Sequence, residues 1–373
     1  MKITDVKVIG LSYQLEKPLY DAYHYIPSRD CIIVQVFTDE GLIGIGEAGY
    51  AGGPVQSTMA VFEKEIVPMV IGEDPLAIER IWNKIYLTRI AHGRRGIMMH
   101  AISGLDIALW DLAGKIAGLP TYRLLGYYRD KVPAYASGGF YSEGKGVTEL
   151  AAEASSGVAN GFKAFKMKIG KLPSIKDDIK RVQAVRDAVG SDIGLMVDAN
   201  SIWDVPTGLK WIKPLEELDV RWIEEPVSVD DVEGSARIAA ATSIPIAGYE
   251  QESNRLGFRD FILHGGVHIV QPNSVRVGGI SEVRKIAALA AMWHRPCYPH
   301  SFSSAICILA NLHVLASIPN GGELEYDCNP NPLREELNIH KLEIKDGVVS
   351  LPERPGLGIE LNPDTVEKYR VNN

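Results

Sequence analysis

Cysteine is scarce in this chain. Four residues in 373, Cys31, Cys297, Cys307 and Cys328, show no CxxC pairing and no small-domain spacing. The pattern excludes a disulfide framework and predicts a reduced, intracellular protein. Long apolar runs are missing too, none approaching the roughly 18 residues of a membrane span. The opening MKITDVKVIGLSYQLEKP alternates like a strand and lacks a signal-peptide core, so the expected location is cytoplasmic. Positive charge is in deficit: 39 Lys and Arg face 47 Asp and Glu, for a net charge of −8. That argues against nucleic acid and against an anionic membrane surface as partners. An anionic small molecule stays open, because a metal and a few lysines reverse the sign locally.

What is present divides the chain into three parts. Residues 1–125 predict an α+β domain, with strand-like Lys2 to Leu11, Cys31 to Thr38 and Leu42 to Glu47, then helical patterns over Gln56 to Met69, Pro75 to Ile85 and Ile97 to Ile116. A loop rich in ring side chains, Tyr20, Tyr23, His24 and Tyr25, separates the first two strands. Across 126–330, short apolar strands alternate with amphipathic helices. Strands are expected at Val132 to Ala136, Ala164 to Ile169, Gly194 to Val197, Val220 to Ile223, Pro245 to Gly248, His268 to Val270, Cys297 to Pro299 and Glu323 to Tyr326. Polar residues close them at Lys168, Asp198, Glu224, Glu250, Asn273, His300 and Glu325, a spacing of 23 to 30 residues. A βα unit has that length, and eight in a row favour a (β/α) barrel with its active site at the strands' C-terminal ends. Residues 331–373 fall outside the repeat and are expected to return to the first domain.

Strand geometry picks out the chemistry. Alternate side chains share a face, so Lys166 and Lys168 point one way and Phe165, Met167 and Ile169 the other. Both faces of a barrel strand are buried, which leaves no solvated face for an ordinary surface lysine. By the same parity Asp198 pairs with Asn200, and Glu224 with Trp222. Three carboxylates, Asp198, Glu224 and Glu250, on consecutive strand ends would repel one another unless something lay between them. Ion pairing with the two lysines is one answer, but it balances only two charges. A hard divalent cation is the other, and an all-oxygen set suits Mg²⁺ better than zinc. Such an ion, with a second ammonium close by, is expected to bring Lys168 from its ordinary value near 10.4 to about 7–8 and make it a base. His300 and Glu325 occupy the strand-end positions of the seventh and eighth units. One motif is set aside: Gly44-Ile45-Gly46-Glu47-Ala48-Gly49 spells GxGxxG but lies in an antiparallel hairpin, without the βαβ context a dinucleotide site needs.

Together these residues resemble the enolase superfamily, within it the mandelate racemase-like subgroup, over nearly the whole chain. Gly104-Leu105-Asp106-Ile107-Ala108-Leu109-Trp110-Asp111-Leu112-Ala113-Gly114-Lys115 is similar to the signature ending that family's capping domain, and Lys166-Met167-Lys168 resembles its KxK motif. The resemblance implies a modified TIM barrel with an α+β cap. It further implies Mg²⁺ on Asp198, Glu224 and Glu250, Lys168 as base, Lys166 beside a substrate carboxylate, and His300 as acid or base. Asn200, Asn273, Glu325, Tyr23 and His24 are expected to contact substrate, and a homo-oligomer is common among similar proteins. Leu324 to Asp327 followed by Asn331-Pro332-Leu333-Arg334 is similar to acid-sugar dehydratases and sugar-lactone cycloisomerases more than to mandelate racemase.

Two departures stand out. Asn273 replaces the Asp usually paired with the strand-seven His; it is expected to accept a bond from the imidazole without stabilising an imidazolium. Tyr249 replaces a small residue and is expected to narrow the pocket or donate its hydroxyl there. The expected reaction is removal of the proton α to a carboxylate and loss of the β-hydroxyl of a sugar acid, with the aromatic loop and the Tyr50 to Pro54 segment capping the site. The alternatives are an epimerase, a lactone cycloisomerase, or a non-catalytic metal-dependent acid-sugar binder.

Overall fold

The computed structural model describes residues 1–49 and 54–371. Its first element is a three-stranded antiparallel sheet of β1 (Ile3–Tyr20), β2 (Tyr25–Thr38) and β3 (Ile43–Ala48). The first two strands run further than their alternation predicts. After a register shift between Gln14 and Leu19, Tyr20 still pairs with Tyr25, so only residues 21–24 form the loop. Helices cover the other face of the sheet. The first expected helix is broken into α, π and α turns over Val55–Val70, and the second begins at Ile78 and extends to Gly93. The long Ile97–Ala117 helix packs on β3, and this contact explains the GxGxxG motif. A Cβ on Gly44 would stand 2.3 Å from the Ala108 carbonyl oxygen, and one on Gly46 2.1 Å from that of Gly104. The glycines let backbone meet backbone.

The barrel comprises β4 (Lys131–Ser137), β5 (Ala164–Lys168), β6 (Gly194–Asp198), β7 (Val220–Glu224), β8 (Ile246–Gly248), β9 (Ile269–Val270) and β10 (Leu324–Asp327). Neighbours pair in parallel, and β10 returns to β4. The expected strand at Cys297 to Pro299 is reduced to Cys297, which bridges Val270 on one side and Gly321 on the other. Pro299 has no N–H to extend the ladder, and the chain bends there so that His300 N donates to the Pro272 carbonyl. Inside the ring, Tyr135, Ala164, Met196, Trp222, Ala247 and Ile269 form a buried layer that plugs the barrel. Side chains of the opposite parity, such as Phe165, Met167, Leu195, Val197 and Ile223, pack outward against the helices. Residues two positions on from Tyr135, Ala164, Met196, Trp222 and Ile269, toward the strands' C-terminal ends, are the polar Ser137, Lys166, Asp198, Glu224 and Gln271.

The last part of the chain touches both regions. A hairpin of β11 (Ile344–Lys345) and β12 (Val348–Ser350) adds antiparallel to the N-terminal end of β4, away from the site. Further on, Arg370 bridges Leu11 of β1. Buried Asp111 joins the regions, accepting from Ile45 N at 2.8 Å and Leu357 N at 2.7 Å. Among the described residues no helix is long and apolar enough to cross a membrane.

Candidate active site

The polar strand ends converge above the Tyr135–Trp222 plug. Lys166, fully buried, lies between Glu224 Oε1 at 2.5 Å and Glu325 Oε1 at 2.7 Å. Lys168 pairs with Asp198. Glu224 Oε2 accepts from Gln271 Nε2 at 2.9 Å and from Trp222 Nε1 at 3.2 Å. Glu250 stands two residues past the end of β8, accepts from Arg276 Nη1 at 2.8 Å and meets His300 Nε2. Glu225 is buried on the other face of β7, where it accepts from the Glu250 backbone N–H at 2.9 Å.

The charges do not balance. Five carboxylates, Asp198, Glu224, Glu225, Glu250 and Glu325, share this region with three permanently charged bases, Lys166, Lys168 and Arg276. Burial, with Asp198 and Glu325 close by, pushes the Glu224 carboxyl up to about 7 despite Lys166. Glu225 is driven higher by burial and by Glu250. Partners win against burial at two other carboxylates: Lys166 holds Glu325 at about 2, and His300 with Arg276 holds Glu250 well below the carboxylate range. Carboxylates outnumber bases here, and the shortfall shows in the raised carboxyls of Glu224 and Glu225; all-oxygen donors so crowded on adjacent strand ends suit one hard divalent cation. Each carboxylate is engaged by a base or a backbone donor, and among the described residues no three such side chains are drawn together as a metal-ligand array. The lowering expected of Lys168 presupposes a cation on Asp198; paired directly with that carboxylate, Lys168 shifts the other way. Burial lowers it, but Asp198 overrides burial and holds it above the ordinary lysine value.

A cavity of about 540 Å³ opens over these residues. Lys168, Asn200, Glu250, Asn273, Arg276 and His300 reach it from the barrel, and Asp21, Tyr23, His24 and Arg29 from the first sheet's 21–24 loop and β2. Lys166, Asp198, Glu224 and Glu325 lie behind this lining. Asn200 folds back on Asp198, its backbone N–H donating at 2.8 Å.

Two expectations are corrected. Asn273 does not accept from the imidazole: its Oδ1 is taken by Val275 N–H at 3.0 Å, so its Nδ2 donates to His300 Nδ1 at 2.8 Å. That bond places the proton of a neutral His300 on Nε2, toward Glu250. Tyr249 neither narrows the pocket nor donates into it. It is fully buried, stacked on Phe261 at 4.0 Å, with its hydroxyl donating to Ser235 Oγ at 2.6 Å. Of the expected capping segments, 21–24 lies over the mouth, whereas Tyr50 to Gly53 fall outside the described residues.

Several contributors carried no local signal. Arg276 follows the sixth strand and meets Glu250 only through the fold. Arg29, buried on β2, donates to Asp327 at 2.7 Å and lies over the Phe302 ring. Asp21 anchors the 21–24 loop. Gln271 had a signal, since it lies two residues before Asn273 and so shares its face.

Comparison with known proteins agrees with this geometry. Residues 3–126 match the family model for the mandelate racemase / muconate lactonizing enzyme N-terminal domain, and residues 149–365 match the enolase C-terminal domain-like model. The chain is 38% identical to an arabinonate dehydratase of Saccharolobus solfataricus over 341 residues, 91% of each protein. It is 35% identical to a D-galactarolactone cycloisomerase of Agrobacterium fabrum, covering 100% of this chain and 99% of that one. Its fold superposes on a Streptomyces coelicolor racemase crystallised with bound magnesium, with a TM-score of 0.92, 31% identity, and coverage of 99% and 100%. The chain therefore belongs to the mandelate racemase / muconate lactonizing enzyme family of the enolase superfamily, and is an enzyme of dehydratase or related isomerase type.

Proposed function

We propose that this enzyme is a Mg²⁺-dependent acid-sugar dehydratase in which Lys168 removes the proton α to the carboxylate. The observation that carries this reading is the one-sidedness of the cavity. A primary amine enters it from one side, while the opposing His300 receives a hydrogen bond at Nδ1 from an amide instead of giving one to a carboxylate. Racemisation needs competent bases on both faces, whereas β-elimination needs one base and one acid.

Asp198, Glu224 and Glu250 would hold the cation. When bound, it supplies positive charge against the second negative charge that builds on the substrate carboxylate. Lys168 Nζ takes the α-proton, and the electrons of the C–H bond pass into an enediolate. Collapse of the enediolate forms the Cα–Cβ double bond as the Cβ–O bond breaks. The hydroxyl leaves as water after taking one proton from an acid, and the enol then tautomerises to a 2-keto-3-deoxy acid. Lys166, behind the lining, holds Glu224 and Glu325 in place and adds positive potential to the floor.

A second reading has support of its own. The cycloisomerase relative matches the chain from end to end, and ring opening of a sugar lactone would begin with the same abstraction at Lys168. The test is a screen of arabinonate, xylonate, galactonate and galactarate, with galactarolactone as a further probe, in Mg²⁺, for keto-acid product. Keto acid from a hydroxy acid supports dehydration. Conversion of the lactone alone supports cycloisomerisation, and no turnover by any of them defeats both.

A further inference from the structure

The loop that covers the site carries a histidine with a carboxylate at Nδ1, where His300 of the barrel has an amide. Asp21 is buried at the end of the loop and 4% exposed. Its Oδ1 accepts from the backbone N–H groups of Tyr23 and His24, and its Oδ2 lies 3.0 Å from His24 Nδ1. Three bonds accepted by one carboxylate fix both the loop and the imidazole. With Nδ1 committed, Nε2 is the ring nitrogen available to a ligand in the cavity, whose lining includes both His24 and Lys168. The ring is half-exposed and stacks edge-on against Tyr23 at 5.3 Å, as expected of a side chain that closes over a substrate.

Resting on the dehydratase reading above, we infer that His24, oriented by Asp21, is the acid that delivers a proton to the departing β-hydroxyl. His24 Nε2–H breaks as the new O–H bond forms; the Cβ–O bond breaks with its electron pair on oxygen, and water departs. The imidazole recovers a proton from solvent through the open face of the loop. His300 is the weaker candidate for this task, because Asn273 donates to the nitrogen an imidazolium would have to protonate. The charges around His24 favour its protonated form. The hydrogen bond that His24 gives to Asp21 raises it most, burial opposes, the charges of Asp21 and Glu250 add to the rise, and Arg276 subtracts. Asp21 is itself held low, burial being offset by His24 and by Lys168.

The test uses the full-length enzyme in Mg²⁺ with whichever of arabinonate, xylonate, galactonate or galactarate it turns over, together with the 3-deoxy-3-fluoro analogue of that acid. Fluoride leaves without a proton, so it bypasses the acid. His24→Ala is expected to slow water loss by about 10²–10³-fold. It should keep fluoride release, and α-deuterium exchange in D₂O, within about three-fold of the wild type. Asp21→Asn, a positioning variant, should lower kcat with little change in KM and move the alkaline limb of the kcat profile to lower pH. Two results overturn the assignment while leaving the dehydratase reading intact: water loss at the wild-type rate in His24→Ala, or equal loss of water and fluoride elimination. If the wild type turns over none of the acids, that reading fails and takes the assignment with it.

Discussion

The two sides of the cavity are built to different standards. On the lysine side, Lys166 and Lys168 rise from one strand and are buried among four strand-end carboxylates, Asp198, Glu224, Glu250 and Glu325, with every ammonium in contact with an acid. On the histidine side, His300 has an amide at one nitrogen and a proposed metal ligand at the other, while a second imidazole hangs from the turn of a hairpin in the other domain. A barrel wall fixes charge at low reorganisation cost and suits a group that must meet a Cα–H bond accurately. A loop suits a group that arrives with the substrate. On the assignments proposed above, the difference means that opposing catalytic groups come from different layers of the fold.

The largest expected effect comes from removing the wall's base. Lys168→Ala should lower keto-acid formation by at least about 10⁴-fold and abolish α-proton exchange. Loss of product with exchange retained would move the base elsewhere. Next in size is removal of the cation. Chelation should abolish turnover and Mg²⁺ should restore it; the same titration should raise Tm, since ligand at about 100 Kd adds roughly 2.7 kcal/mol. A Tm indifferent to Mg²⁺ and to chelator would count against the surplus-charge argument.

A smaller effect would repair the weaker side. Asn273→Asp gives His300 the carboxylate it lacks, so it should introduce epimerised substrate at a rate about 10²-fold or more below Lys168-dependent turnover. If it creates no epimer while the protein stays folded, the asymmetry has another source. The smallest concerns the contact between the cap and the barrel. Buried Asp106 accepts from Ser281 N at 3.0 Å and Ser281 Oγ at 2.5 Å, and burial pushes its carboxyl up to about 7. Its folded value lies above the unfolded one, so its stabilising contribution is complete below the ordinary 3.8 and is lost as pH rises through about 7. The Tm gap between wild type and Asp106→Asn should therefore widen from pH 8 to pH 5; a constant gap would refute the assignment.

Much of the lysine side was legible in the sequence because it obeys local rules. Period-two alternation puts Ala164, Lys166 and Lys168 on one face, and the βα repeat places Asp198 and Glu224 at the same height on the adjacent strands, where they are cross-strand partners. Little of the histidine side was legible. Whether Asn273 gives or takes a hydrogen bond depends on Val275 N–H, a turn detail invisible in residue type. Arg276 matters only because the barrel brings it to Glu250, and Asp21 only because a loop from one domain lies over the barrel of another. Lys166 between Glu224 and Glu325 closes a ring across 159 residues, and no window of sequence spans it. Tyr249 departs from its expected place because the chain turns after Gly248 and sends the ring into the helical layer against Phe261.

The central claim, that one face of the substrate meets a base and the other an acid, is tested most directly by following a turned-over acid sugar in D₂O with Mg²⁺. The account predicts a 2-keto-3-deoxy acid as product and recovered substrate with its α-configuration unchanged, any exchanged deuterium having entered with retention. Recovered substrate carrying α-deuterium in the inverted configuration, without keto acid, would contradict it.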